Sequence, residues 1–470
     1  MHAQLLTKSK IYNTDSAEFG GSPNTQAGVV TFAHPGTLPK LSKKVVELAV
    51  KIGLACHSDI TRLQIFDRKN YFYPDLPKGY QITQDRTPIC TGGYVTITTN
   101  DGKERKIGLH RIHIEEDVGK SVHRPGVCDT QVDFNRSGVP LVEIVTLPEV
   151  RSSEQAYMFL TEIRKLVRYL EICDGNMEEG SLRCNANVSV MPKEAKSFGK
   201  KVEVKNMNSI RNVQRAIDHE VERQIELLEL GGSIESETRA FEAADGKTYS
   251  MRMKEELNDY RYLPDPDLSP LHVSEQWLND IKASMPLLPR ELHHKLVKEY
   301  RLSIYDAGVL TDRREIAIYF LEVCDHTSNY KAAANWVIGP VKSYLNEHSL
   351  DIRQFGMMPA RLSDLIALID DGKVNFAVAS QKLFPLLVKQ PDQSPLELAQ
   401  KLNLIQDSRT DSILPIVEEV IKEFPLKVEE YQNGKKGILG MFMGEVMKRS
   451  KGAADPKLAT QLLEKKLSEL

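Results

Sequence analysis

No run of about 18 apolar residues occurs in the sequence, so nothing in it is long enough to read as a membrane-spanning helix, and the opening residues do not read as a signal peptide. Its six cysteines, Cys56, Cys90, Cys128, Cys173, Cys184 and Cys324, are scattered without a CxxC pair. That excludes a disulfide framework or a sulfur-bound metal and fits reduced thiols in a cytoplasmic protein. Neither sign of charge dominates: 62 Lys and Arg against 65 Asp and Glu leave a net charge of −3. Any contact with nucleic acid must therefore rest on a local basic patch, not on the global field. A GxxxxGK[ST] phosphate loop is missing, as is a GxGxxG after a strand, so the common nucleotide-binding folds are not signalled. Internal repeats and low-complexity tracts are absent too.

What is present is 470 residues at 41% hydrophobic content, enough for two to four domains with real cores. The first half alternates strand and turn signals. Gly92 to Gly102 predicts a strand running into an Asn-Asp-Gly hairpin turn with a return strand through Ile107. Leu141 to Val145 predicts a short buried strand. Ser153 predicts the N-cap of a helix with its apolar face on Met158, Leu160, Ile163, Leu166, Val167 and Leu170. Asn187 to Val190 and Val202 to Val204 predict further strands, and residues 212 to 230 a charged amphipathic helix closed by Gly231-Gly232. Prolines gather at Pro264, Pro266, Pro270, Pro286 and Pro289, and beyond them the pattern is helical, for example Arg290 to Tyr300, Arg314 to Val323, Arg361 to Ile369, Ile413 to Glu423 and Lys457 to Leu467. The expected class is α+β: a mixed α/β domain up to about residue 284 followed by an all-helical second half.

Four segments, one lone carboxylate and a basic patch in the tail could carry chemistry. Phe66 to Gln81 mixes aromatics with Lys69 and Lys78, a combination that stacks on bases and neutralises phosphates, or that simply ties a rigid surface loop. Arg111 to Lys120 brings Glu115, Glu116 and Asp117 together, hard oxygen ligands of the kind Mg²⁺ takes, or a solvated acidic turn. Glu143 stands inside an apolar strand, which is costly unless it meets a cation or faces outward. Asp174 to Asn187 is a glycine-punctuated loop whose Arg183 could meet a phosphate or carboxylate, and Lys205 to Ser209 could touch a base or cap the next helix. In the tail, Lys435, Lys436, Lys448, Arg449, Lys451 and Lys457 outnumber Glu445 and Asp455. Gly437, Gly440 and Gly444 give that helix a flat face, open either to another helix or to an RNA backbone.

In this order the motifs resemble the GatB family, the tRNA-binding and ATP-using component of the GatCAB amidotransferases. The matching strings are His2 to Leu5, Pro35 to Pro39, Phe66 to Gln81, His113 to Lys120, Asp133 to Val145, Asp174 to Asn187, Lys205 to Ser209, Ser250 to Arg252, Asp259 to Tyr262 and Lys448 to Lys457, which together span nearly the whole chain. The resemblance implies a cradle-shaped catalytic domain over 1–284, a helical domain over 285–402 and a small helical tail over 403–470 similar to YqeY proteins. It implies ATP-dependent phosphorylation of the side-chain carboxylate on Glu-tRNA or Asp-tRNA. Ammonia would come from a partner amidase of the same complex, with a small third partner bracing the pair. This chain lacks a Ser-rich amidase signature or a reactive-cysteine motif of its own, in keeping with that division of labour. A stand-alone ligase acting on a free amino acid and a tRNA scaffold with a crippled centre are the competing readings. By motif, His2, Glu116 and Glu143 would hold Mg²⁺, with Glu116 and Glu143 catalytic. Lys69, Lys78 and Arg183 are expected at ATP or the tRNA end, and Lys435, Lys436, Lys448, Arg449 and Lys451 on tRNA. The family's zinc thiols are replaced by Asn13, Asp15, Gly28 and Thr31, so zinc is not expected and packing should hold that region. Family members usually carry an extra strand before the His, so the functional start is expected upstream of Met1.

Overall fold

The structure is a computed structural model and describes every residue except 124–125, 127, 254–259, 406–409, 451–453 and 470. Asp259 and Lys451 of the motifs above lie outside the described residues. By contact the chain divides into two units, Met1–Pro289 and Arg290–Leu470.

The first unit is organised by a ten-stranded sheet among the described residues. Its middle consists of Leu182–Val188, His2–Gln4, Pro140–Thr146 and Glu104–Glu116, each antiparallel to the next. On one side the order continues through Val202–Met207, Glu237–Glu242 and Lys247–Met253; the Tyr94–Thr98 strand hairpins onto the long strand Glu104–Glu116. Strand residues alternate between the two faces of a sheet, and beyond a bulge opposite Val145 and Thr146 the stretch Arg111–Glu116 alternates in step with Pro140–Val145. Ala3, Ile112, Ile114, Val142 and Ile144 point one way into the main core, which also takes Phe159, Leu160, Ile163 and Val167 of the helix Ser153–Tyr169 and Val213 and Ala216 of the helix Ile210–Glu229. His2, His113, Glu115, Glu143 and Arg183 therefore share the opposite face, and the register aligns them: His2 lies opposite Glu143 and Arg183, and Glu143 opposite His113. The helices cover one face and leave the other for polar side chains.

A small three-stranded sheet borders that polar face. Asp67–Asn70 and Tyr80–Thr83 form a hairpin, and Leu263–Pro264 pairs with its first strand. Arg68 fastens this arrangement, binding Asp265 and Asp267 at 2.7 Å each and stacking 4.1 Å from the Tyr80 ring. Buried Asp67 accepts the Asp85 and Arg86 backbone N–H groups.

Three local expectations shift by a residue or change element. The N-cap of Ser153–Tyr169 is Ser152, whose hydroxyl accepts the Gln155 N–H, while Ser153 is already inside the helix and buried. Arg183 sits on a strand, not in a loop, because pairing to His2 extends Leu182–Val188 toward the N-terminal side of the predicted strand. The acidic run ending at Glu116 is likewise strand, held by pairing to Pro140–Thr146. Ser209 caps the helix Ile210–Glu229 by accepting the Asn212 N–H, which is the capping role open to it.

Residues 5–40 are largely irregular and are held by polar contacts more than by the packing expected there. Asp15 accepts from the Gly28 N–H at 2.7 Å and the Thr31 hydroxyl at 2.8 Å, and Asn13 joins both neighbours through its amide. A Cβ on Gly28 would stand 2.5 Å from Asp15 Oδ1, so any larger residue would push the Asp15 carboxylate out of this knot. Beside it Lys10 is fully buried, its ammonium meeting Thr31 Oγ1 at 3.5 Å and the Phe134 carbonyl at 3.3 Å. Burial pulls its pKa down to about 8, against the opposing pull of Asp15, Asp133 and Glu116. A lysine that gives up its proton more easily when folded destabilises the fold at pH below that value, and the penalty fades as pH climbs from 8 to 10.5. Lys10→Met should accordingly raise unfolding free energy by about 2 kcal/mol at pH 7. Urea unfolding at several pH values checks this; a gain that did not shrink above pH 8 would refute the electrostatic cause.

The second unit is helical throughout its described residues, with two separate apolar clusters. One gathers Phe320, Trp336, Leu365 and Phe384 from helices between Pro289 and Lys401. The other gathers Val417, Val420, Phe442, Val446 and Leu463 from Thr410–Glu423, Leu439–Arg449 and Pro456–Glu469. No described helix is long and apolar enough to cross a membrane.

Candidate functional site

On the polar face of the sheet, one ligand atom each from His2, Glu115 and Glu143 lies within 4.8 Å of the others. His2 Nε2 is 3.6 Å from Glu143 Oε2. His113 Nε2 lies 3.2 Å from the same oxygen and 3.1 Å from Glu115 Oε1. Glu115 also accepts the Thr83 hydroxyl at 2.9 Å from the bordering hairpin. Burial works against both carboxylates, but hydrogen bonds from His113, joined at Glu143 by His2, hold both below the usual carboxylate range. The imidazole of His113 is correspondingly raised: Glu115 and Glu143 outweigh its burial. An imidazole and two ionised carboxylates converging from three different strands are a donor set that fits a divalent cation.

Lys69 belongs to the same neighbourhood. It sits on the first strand of the bordering hairpin, with its ammonium 5.0 Å from the Tyr260 ring centre and 5.9 Å from that of Tyr71. Burial disfavours its charge, yet Glu115, the nearby tyrosines and Glu143 carry its pKa above the ordinary lysine value. A cation beside the carboxylate cluster and against aromatic rings suits an anionic ligand with a planar base. Phe72 and Tyr73, next along the chain, are exposed.

The structure corrects one assignment directly. Glu116 is not a member of the cluster, because adjacent strand residues face opposite ways and Glu115 takes the inner position. Glu116 is instead buried in an ion pair with Lys78 and accepts the Ile82 backbone N–H at 2.9 Å. Lys78 is thereby committed to Glu116, with 14% of its side chain exposed, so it does not present a free charge to a ligand. Arg183 is in register with His2 but directs its guanidinium to Asp117 at 2.6 Å, and Gln4 donates to the same carboxylate at 2.7 Å. Motif reading alone does not single out Glu115 or His113. The signal that finds them is parity: once the strand runs through 116, positions 113 and 115 share a face with Glu143.

In the tail, the basic residues are partly spoken for. Lys435 lies 3.3 Å from Glu430, Lys448 3.6 Å from Glu445, and Arg449 pairs with Glu423 and, at 3.2 Å, Glu419. Exposed pairs of this kind contribute little and exchange readily, so Lys435 and Lys448 keep most of their reach, whereas Arg449 is tied to a neighbouring helix. Lys436 lines a pocket with Tyr431, Gln461 and Lys465. A Cβ added at Gly437, Gly440 or Gly444 would meet nothing within 4 Å, so these glycines do not serve helix packing among the described residues.

Comparison with known proteins gives a consistent answer. The family model described as the GatB/GatE catalytic domain matches residues 1–279, and that described as the GatB domain matches residues 318–467. A relative from Geobacter sulfurreducens is 47% identical over 470 residues, covering 99% of this chain and 98% of its own length. One from Salinibacter ruber is 44% identical over 485 residues, with 99% and 95% covered, and one from a Synechococcus strain is 45% identical, with 99% and 96% covered. All three are named as the B-type subunit of an aspartyl/glutamyl-tRNA(Asn/Gln) amidotransferase.

Proposed function

The chain belongs to the GatB family of the Asp/Glu-tRNA(Asn/Gln) amidotransferases, and from that membership we propose that its active centre is the polar face around His2, Glu115, Glu143 and Lys69. The activity is ATP-dependent phosphorylation of the side-chain carboxylate of Glu-tRNA(Gln) or Asp-tRNA(Asn), followed by amidation with ammonia from a partner glutaminase. The working unit is the GatCAB complex, which adds the amidase partner and the small third partner to this chain, and we place it in the cytoplasm.

Two bond exchanges make up the reaction. A carboxylate oxygen of the aminoacyl group bonds to the terminal phosphorus of ATP and ADP leaves; ammonia then bonds to the acyl carbon and phosphate leaves. Passing through an acyl phosphate replaces one difficult displacement by two easier ones. His2, Glu115 and Glu143 would hold Mg²⁺, which when bound offsets negative charge on phosphate oxygens. Lys69 supplies positive charge on the same side, and the tyrosines around it give the terminal base of the tRNA a surface to stack on. Arg183, Lys78 and Glu116 serve as the supports of this centre, not as its contacts. In the tail, Lys435, Lys436 and Lys448 around the open glycine face add sequence-independent affinity for the tRNA backbone.

The observation that carries this reading is the convergence of His2, Glu115 and Glu143 on one face, beside Lys69. Its test is ATP turnover by the assembled complex. Turnover should depend on mischarged Glu-tRNA or Asp-tRNA and stay at background with uncharged tRNA or free glutamate. Equal turnover with free glutamate would turn the reading to a small-molecule ligase, and none with any tRNA would leave a scaffold.

A further inference from the structure

Two ionised carboxylates on one face of a sheet repel each other, and something must hold Glu115 and Glu143 convergent when no cation lies between them. The only side chain in hydrogen-bond contact with both, among the described residues, is His113, whose Nε2 lies 3.1 Å from Glu115 and 3.2 Å from Glu143. Register explains why it falls there: Glu143 pairs directly opposite His113, and Glu115 is two residues along the same strand. The ring is almost fully buried, and its other nitrogen, Nδ1, has no hydrogen-bond partner. A buried polar atom left without a partner is a cost that calls for an explanation. Here the contacts of the imidazole are confined to the Nε2 edge, the edge that faces the two carboxylates.

We propose that His113 is the positioning residue of this centre: through Nε2 it spans Glu115 and Glu143 and fixes the spacing at which the two carboxylates receive a cation. The proposal rests on reading the cluster as a cation site. It assigns His113 no contact with substrate. His2, Glu115 and Glu143 would supply the ligands of such a cation, and His113 would keep the two carboxylates in place through the contacts it already makes to both. Groups that orient metal ligands in this way typically change affinity by about 10–100-fold when removed.

Side-chain geometry supplies a test that separates positioning from mere support. A glutamine places its amide nitrogen near the Nε2 position of histidine, whereas an asparagine reaches only to the Nδ1 position. In the assembled complex, calorimetric titration with Mg²⁺ should show His113→Phe and His113→Asn weakened by about 10–100-fold and His113→Gln restored to within a few-fold of wild type. Thermal melting run alongside reports folding, and a purely structural role would lower the melting temperature in all three without this Gln–Asn split. Should the Phe variant fail to fold, the Gln–Asn pair decides alone. Wild-type Mg²⁺ affinity in His113→Asn, alongside a weakened Glu143→Gln, would overturn the proposal and leave the centre standing. Undiminished Mg²⁺ binding in Glu143→Gln would overturn the centre itself, and this proposal with it.

Discussion

Glu143→Gln, and independently Glu115→Gln, should each lower tRNA-dependent ATP cleavage by roughly a thousandfold while tRNA affinity stays within about twofold of wild type. Glutamine keeps the shape of the side chain and can still meet His113 or Thr83, so the sheet register that organises the face is not disturbed. What disappears is one full negative charge from a centre in which two imidazoles and two carboxylates converge. A cation bound by the remaining ligands would be held less tightly and placed less well, and phosphoryl transfer depends on position and charge more than on covalent help from the protein. tRNA binding should be spared because a carboxylate does not attract a phosphate chain; removing one cannot weaken that contact directly. Raising Mg²⁺ should recover part of the loss. The two quantities to measure are steady-state ATP turnover with mischarged tRNA and tRNA binding at fixed salt. Normal turnover combined with lost tRNA affinity would take both residues out of the centre.

Glu116→Gln should behave quite differently, and the contrast between neighbours is the sharper result. Its partner Lys78 has 14% of its side chain exposed and Glu116 has 4%, so the pair is largely cut off from water. Removing the negative member leaves an ammonium facing a neutral amide in a place that cannot solvate it. The expected loss of stability is about 3 kcal/mol, seen as a lower urea midpoint. Lys78→Met should cost a similar amount by stranding the carboxylate, although the Ile82 N–H at 2.9 Å softens the blow to Glu116. The double variant should recover a substantial part of the sum, because neither charge is then left alone. Turnover per folded molecule should change far less than in Glu115→Gln. A Glu116→Gln protein of wild-type stability that fails to cleave ATP would restore Glu116 to the centre.

That contrast also marks where sequence reading stops. Elements with a strong periodic signal were legible: the hairpin around Asn100, the strand containing Glu143 and the charged helix that Gly231 closes all stand where the pattern puts them. Glu143 was legible as an anomaly, since a lone carboxylate among Leu, Val and Ile asks for a partner, and His2 and His113 are those partners. The choice between Glu115 and Glu116 was not legible, because two adjacent glutamates are chemically equal until the strand's last residue is known. Only pairing with Pro140–Thr146, which carries the strand through Glu116, fixes which one turns inward. Charge alone also misled at Lys78 and Arg183. Both read as available cations in the sequence, and both are consumed by acidic residues, Glu116 and Asp117, that lie 38 and 66 positions away.

The three-residue strand His2–Gln4 bears on how the protein is made as well as on how it works. It pairs on one side with residues 141–143 and on the other with 182–183. Both neighbours are thus synthesised long after it leaves the ribosome. At about 5–20 residues per second, His2 waits on the order of 10–40 seconds before its second neighbour exists. Until residues 141–143 are made the strand has neither of its native neighbours, and from then until residue 182 it has only one. Completion of the centre is therefore a late event in biosynthesis: a nascent chain stalled between residues 143 and 182 has both carboxylates of the cluster but an unfinished seat for its imidazole.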